Sequence, residues 1–388
     1  MSVGHQWPTV KLGEICSLDF GAPFKSSHFS SEPLGLPVAR IRDVVRGHSK
    51  TFLAGDFDPK YLIYDGDFLI GMDGNFSIGE WRGGEALLNQ RVCRVAREVS
   101  NATSREFLFH FLPRALGQIE QKKSYVTVKH LSATDLRNLK IPLPPLPEQR
   151  RIAGVLEHSS QQVRETDRQL NSLAALRSSI TERALDLRKH QMLQLNEIAD
   201  IQSGITKGRK LKKGEVMSEY PYMAVSNVKS GFLDLQTVKT IEVTNREAAK
   251  YELHPGDILL TEGGDPDKLG RGTIWRGEIS KCLHQNHIFR IRLPENSPIP
   301  PDVLMSLISS RASRSYFLRS AKQTTGIASI NKTQLSALPI PLLSAYEVIP
   351  LNGALNAIDA VAGKLKLRHT LLQELHASLA ARAFSGQL

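Results

Sequence analysis

The sequence predicts an α+β protein in which two mixed α/β heads are separated by two long helices that form an antiparallel coiled coil, with pseudo-twofold internal duplication. Three observations lead to that class. Short motifs recur in the same order along the two halves, each half ends in a long heptad pattern, and a proline-rich segment stands directly before the first of these patterns.

The repeat comes first. "KLGEI" at 11–15 is echoed by "QLNEI" at 194–198, 183 residues on. "PVARIRDV" (37–44) is matched by "PYMAVSNV" (221–228), "YDGDFLI" (64–70) by "LHPGDILL" (253–260), and "LLNQRVCRV" (87–95) by "CLHQNHIFRI" (282–291). "LRNLKIPLP" (136–144) returns as "LSALPIPLL" (335–343), by then at an offset of 199 that holds to the end of the chain. Offsets that drift through the heads and then hold describe heads with variable loops on tails of fixed length. The expected boundaries are 1–146 and 191–344 for the heads, and 147–190 and 345–388 for the helices.

Within the heads, "PVARIRDVV" and "HIFRIRL" read as strands, a Gly-Asp turn precedes "FLI" and "ILL", and a late amphipathic helix follows in each ("SREFLFHFLPRALGQIEQ" and "PDVLMSLISSRASRSYFLRS"). In the first tail a 4-3 alternation runs through Ile152, Leu156, Ser159, Val163, Thr166, Leu170, Leu173, Arg177, Ile180, Ala184 and Leu187. In the second it falls on Leu351, Leu355, Ile358, Ala362, Leu365, His369, Leu372, His376, Leu379 and Ala383, in matching register. Such a stripe needs a partner, and two helices of equal length and register supply one another's. Pro142, Pro144 and Pro145 keep the chain extended, and Pro147 suits the first helical position, followed by the acid Glu148 at the positive end.

Composition narrows the function. With 388 residues, 41% apolar and 23% charged, the chain has the material for two or three globular cores. Three cysteines without a C-x-x-C pair exclude a disulfide framework and a structural zinc site. The opening "MSVGHQWPTVKLGEICSLDF" lacks the regions of a signal peptide, and no apolar run reaches membrane-spanning length, so the cytoplasm, bacterial or archaeal, is the expected location. The net charge of +11 points to a polyanion, with double-stranded DNA first, because neutralised phosphates release condensed counterions. In "ITKGRKLKKGE" the cations Lys207, Arg209, Lys210, Lys212 and Lys213 crowd a glycine-punctuated loop suited to phosphate contact.

Asn and Gln pair with adenine, Arg with guanine, and Lys with phosphate. On that basis the expected DNA contacts of the first head are Lys25, Arg40, Arg42, Asn75, Asn89, Gln90, Arg91 and Lys129. For the second head they are the 207–213 cations with Asn227, Arg271, His284, Gln285, Asn286 and Lys322. Asn89 and Gln90 are equally readable as closing the head's own turn.

"IPLPPLPEQRRIAGVL" (141–156), "ALLNQRVCRV" in the first head, the duplicated plan and the closing "ARAFSGQL" together resemble the DNA-specificity subunit of type I restriction-modification systems, over essentially the whole chain. The resemblance implies that each head is a target-recognition domain for half of a split sequence. It implies that the paired helices act as ruler and as docking surface for two methyltransferase subunits, with translocating restriction subunits joining outside. Docking is expected at Pro147, Glu148 and Gln149 and at Glu347, the one counterpart retained in the second copy, where Val348 replaces Gln149. The chain itself is expected to be non-catalytic and to hold no cofactor. S-adenosylmethionine would belong to the methyltransferase partner, and ATP and magnesium to a restriction partner.

The sequence carries no [ND]-P-P-[YF], G-x-x-x-x-G-K-[ST] or H-E-x-x-H motif. Asp265 and Asp267 in "EGGDPDKLGRG" would be the ligands of a self-sufficient magnesium nuclease, without an E-x-K partner at useful spacing, and His284 and His287 lack a third metal ligand nearby. The alternatives to be weighed are therefore a specificity subunit of a solitary methyltransferase, this nuclease, and a coiled-coil adaptor with basic heads for acidic proteins.

Overall fold

The computed structural model describes residues 7–122, 129–185, 190–208, 216–264, 269–324 and 327–388. The chain divides into two compact units, Met1–Asp167 with Arg368–Leu388, and Arg168–Leu367. The division runs through both long helices, so each unit holds one head and one end of each helix.

In the first unit, Thr9–Lys11 pairs with Lys140–Pro142, with Val10 opposite Ile141. A four-stranded antiparallel sheet follows in the order Cys16–Phe20, Val92–Val99, Phe68–Gly71, Ser77–Glu80. A second, five-stranded sheet contains the parallel pair Leu36–Ala39 with Ala86–Leu88. The second unit repeats the two pairs and the four-stranded sheet. Met192–Gln194 pairs with Pro339–Pro341, the sheet runs Asp200–Ser203, Ile288–Arg292, Ile258–Thr261, Gly272–Ile274, and Met217–Met223 pairs in parallel with Leu283–His284.

The repeated Gly-Asp turn explains why these strands start where they do. Gly66 and Gly256 sit at φ 84° and 97°, a region that costs a side chain but not glycine. The buried carboxylates of Asp67 and Asp257 accept the N–H groups of Tyr64 at 2.9 Å and His254 at 2.7 Å, closing the turn. Each acid also takes an arginine of the neighbouring strand: Arg97 Nε lies 2.6 Å from Asp67, and Arg292 Nε 2.6 Å from Asp257. Across the turn, Trp81 and Trp275 fill the small cores of their heads, each fully buried.

Two predicted elements differ. "PVARIRDVV" is a strand only to Ala39; it then becomes the short helix Ile41–Val44, because Asp43 caps its start by accepting the Arg40 N–H at 3.2 Å. The late helix of the first head is continuous, Arg105–Lys122, whereas that of the second breaks into Pro301–Ile308 and Arg311–Ser320, with the Ser310 hydroxyl capping the second piece through the Ser313 N–H at 3.2 Å. All three cysteines are buried, and burial pushes the Cys16 thiol up to about 11 and that of Cys282 up to about 12.

The two long helices, Leu146–Ala184 and Ala345–Ala383, are each 39 residues. Their predicted seam positions, save Leu187 outside the described residues, are the buried or half-buried ones. In the first unit Ile152 and Leu156 share a core with Ala383, and the Ser159 hydroxyl meets His376 Nδ1 at 2.7 Å while Asp167 meets His369 at 3.0 Å. Rising numbers on one helix meet falling numbers on the other, so the pair is antiparallel. In the second unit Leu351 and Leu355 pack with Ile180 and Ala184, and Arg177 donates to Asp359 at 2.5 Å. Polar partners inside a largely apolar seam fix its register, since a slip would strand them.

Candidate nucleic-acid interface

One edge of each head is built by the same backbone cradle. In the first head Ala22 donates to Leu88 O at 3.0 Å and accepts from Gln90 N at 2.9 Å, Asn89 N donates to Ala39 O at 3.2 Å, and Met72 N to Arg91 O at 3.0 Å. In the second, Ile205 donates to His284 O at 2.8 Å and accepts from Asn286 N at 2.9 Å, Gln285 N donates to Met223 O at 3.0 Å, and Glu262 N to His287 O at 3.0 Å. The pair Asn89–Gln90 therefore occupies the place of Gln285–Asn286, and Arg91 that of His287. Gly21 and Gly204 make the crossing possible: a Cβ at either would lie inside the contact distance of the carbonyl oxygens of Leu88 and Asn89, or of His284 and Gln285.

The cradle uses the backbone of the polar pair and leaves most of the side chains outward. Gln90 is exposed, Asn89 and Asn286 are half-buried, and Gln285 accepts the Val225 N–H at 3.4 Å. Around them the first head gathers the exposed Asn75, Arg91 and His130 and the half-buried Lys129, whose Nζ lies 3.0 Å from Glu120. Asp73 joins two of these side chains, taking Arg91 at 3.2 Å and His130 at 2.5 Å. Lys25, just before the turn Ser26–His28, and Arg42, in the helix Ile41–Val44, are also exposed. In the second head Lys207 is exposed, its Nζ 5.1 Å from the Tyr222 ring centroid. Arg209, Lys210, Lys212 and Lys213 lie outside the described residues, as do Asp265 and Asp267, and of Lys322 only the backbone, on the strand Lys322–Thr324, is described.

Three predicted readers are held inside their own heads. Asn227 is buried, its carbonyl accepting Ala224 N at 3.0 Å and its amide donating to Asp234 O at 2.7 Å and Thr237 O at 2.9 Å, so nothing is left for a base. His284 falls at the position of Leu88 and is equally buried; its Nδ1 meets Tyr251 O at 3.1 Å, and burial lowers its pKa to about 4, which keeps the ring neutral. Arg40 donates to the Thr51 hydroxyl and lies over the Phe29 ring, 5.8 Å from its centroid. Arg271 is half-buried, and its carbonyl accepts from Thr261 N at 2.9 Å. Sequence reasoning missed Asp73, His130 and Glu262, and considered His287 only as a metal ligand; aligning "GMDGN" with "TEGGD" places both acids on one strand end.

Residues 5–174 match the family model described as type I restriction modification DNA specificity domain. Those residues are thus similar to a type I restriction-modification DNA-specificity domain. A relative matched along 100% of this chain and 87% of its own length, 28% identical, is the type I restriction enzyme EcoBI specificity subunit of Escherichia coli. Among solved structures, the S subunit of the type I restriction-modification system of M. genitalium aligns over 99% of this chain and 98% of its own, at 13% identity and TM-score 0.55. A chain from a study of type I R-M complex assembly and conformational transition aligns over 100% of both, at 18% identity and TM-score 0.51. Both share the fold of two domains and a coiled coil.

In this chain the two helix starts are built differently. The first begins at Leu146, one residue before the expected Pro147, with Pro145 O accepting Glu148 N at 2.9 Å. Pro147 is exposed, and Glu148 is bound in a fork by Arg151 at 2.8 Å to each oxygen, which holds its carboxyl below the ordinary range. Gln149, expected among the docking residues, is not exposed. It is fully buried, accepting Ser104 N at 2.8 Å and donating to Ala102 O and Pro144 O at 2.8 Å each, which straps the helix to its head. At the second start Val348 fills that place with apolar contact, and Ser344 is held by the first-turn acid Glu347 instead. Glu347 accepts the Ser344 hydroxyl at 2.7 Å, its N–H at 2.8 Å and His190 Nε2 at 2.8 Å, and these bonds, the hydroxyl first, hold its pKa at about 2. Among the described residues no group of three His, Cys, Asp or Glu side chains is placed to hold a metal ion, and no helix is long and apolar enough to cross a membrane.

Proposed function

We propose that this chain is the specificity subunit of a type I restriction-modification complex, each head reading one half of a bipartite duplex target. The observation that carries the reading is the repeated cradle, one backbone geometry that presents Asn89, Gln90 and Arg91 in the first head and Gln285, Asn286 and His287 in the second. Equivalent frames with unlike side chains suit two unlike half-sites, and Asn, Gln and Arg are the side chains that pair bidentately with adenine and guanine. The net charge of +11 and the basic 207–213 loop suit the phosphate contacts that position such a reader.

In this reading the coiled coil sets the gap between half-sites, its ends dock two methyltransferase subunits that supply S-adenosylmethionine chemistry, and restriction subunits supply ATP hydrolysis with magnesium. The apolar seam with its polar pins, Ser159–His376 and Arg177–Asp359, suits a ruler because it admits one register. Pro147 and Glu148 are the exposed and half-buried candidates for the docking edge. Seven residues inserted into each helix at matched points, after Asp167 and after Leu367, add about 10 Å of rise, or about three base pairs. Sequencing the duplexes selected by the complex should return both half-sites unchanged with a gap about three base pairs longer; an unchanged gap would remove the ruler.

A further inference from the structure

Each cradle carries a cationic or protonatable side chain at the same place, and each of these is held by a carboxylate from the neighbouring strand. Arg91 Nε lies 3.2 Å from Asp73 Oδ2, and His287 Nδ1 2.6 Å from Glu262 Oε2. The acids are the more sheltered partners: side-chain exposure is 24% for Asp73 against 48% for Arg91, and 34% for Glu262 against 56% for His287. Exposed ion pairs contribute little to stability, so stability gives no reason for placing one beside each cradle, from acids one position apart in the two copies. Orientation does. A carboxylate at Nε occupies the side of the guanidinium and leaves the edge bearing Nη1 and Nη2, the two-donor fork that matches O6 and N7 of guanine in the major groove. The Asp73 carboxylate is itself fixed, because its other oxygen takes His130 Nδ1 at 2.5 Å. On the histidine, Nδ1–H donates to Glu262, and Nε2 remains on the far side of the ring beside Asn286 Nδ2 at 3.4 Å, a single-point contact in place of a fork.

We propose that Arg91, aimed by Asp73 as a positioning residue, reads a guanine in the half-site of the first head, and that His287, aimed by Glu262, takes the equivalent base of the other half-site. The inference rests on the DNA-reading role argued above and adds which residues set one base in each half. The test uses the full chain in complex with its methyltransferase subunits, and selection from a random-sequence duplex library. Arg91→Lys keeps the charge but loses the fork, and Asp73→Asn keeps the shape but loses the hold. Each should lower the preference for guanine at the same single position roughly tenfold or more, with other positions, binding to random duplex and thermal midpoint unchanged. Glu262→Gln should act on one position of the other half-site alone. Weakening that is uniform over all sequences, as a phosphate contact gives, or an unaltered base preference, overturns the inference. A wild-type complex that enriches no sequence contradicts the underlying DNA-reading role instead.

Discussion

Gly204→Ala prevents the second head from reaching its native packing, and Gly21→Ala does the same to the first. At Gly204 the added methyl would overlap the carbonyl groups of His284 and Gln285, and at Gly21 those of Leu88 and Asn89. All of these are backbone atoms, so no rotamer change relieves the overlap. Separating the strands breaks the bonds that form the cradle, among them Ile205 N to His284 O at 2.8 Å and Ala22 N to Leu88 O at 3.0 Å. Overpacking against yielding side chains costs about 1 to 3 kcal/mol, and the cost here should lie at or above the upper end. Calorimetry on the full chain should show a lowered transition for either variant, together with loss of specific DNA binding; an unchanged midpoint would mean that the crossing is not as close as described.

Gln149→Ala should destabilise the first unit by about 3 kcal/mol, because it strands two buried backbone groups, each worth about 1 to 3 kcal/mol when unpaired, and a third that is part-buried. Those groups are the Ser104 N–H and the carbonyls of Ala102 and Pro144. Gln149→Val, which copies Val348 of the second helix start, should be nearly as damaging, since it restores volume and not the bonds. Urea titration of the two variants separates strap from filler: recovery of wild-type stability by valine would show that the amide's bonds contribute little.

The helices were legible because their pattern is local. A 4-3 alternation needs only side chains spaced along one element, and two copies 199 residues apart check each other. The heads were legible at the level of strands and turns for the same reason, the Gly-Asp turn at 65–67 and 255–257 being a signature of few residues. Which side chains point outward was not legible, because that depends on partners far along the chain. His284 reads as a polar residue next to Gln285, yet the shared cradle puts it where Leu88 packs. Asn227 reads as a base-contacting amide, and it is the staple of a turn that closes on Asp234 and Thr237. Gln149 reads as part of a docking motif, and it reaches back 47 residues to Ala102. Asp73 and Glu262 escaped notice for the converse reason, since an acid near DNA looks unhelpful until the arginine or histidine it holds is seen.

The central claim is that two heads read two half-sites independently. It is tested most directly by exchanging residues 191–344 for the corresponding head of a relative with a different target, and mapping methylated adenines in the genome of cells that carry the hybrid with its methyltransferase. The expected target is bipartite, with the first half-site and the gap retained and only the second half-site changed. A target that changes in both halves, or that stays unchanged, would contradict it.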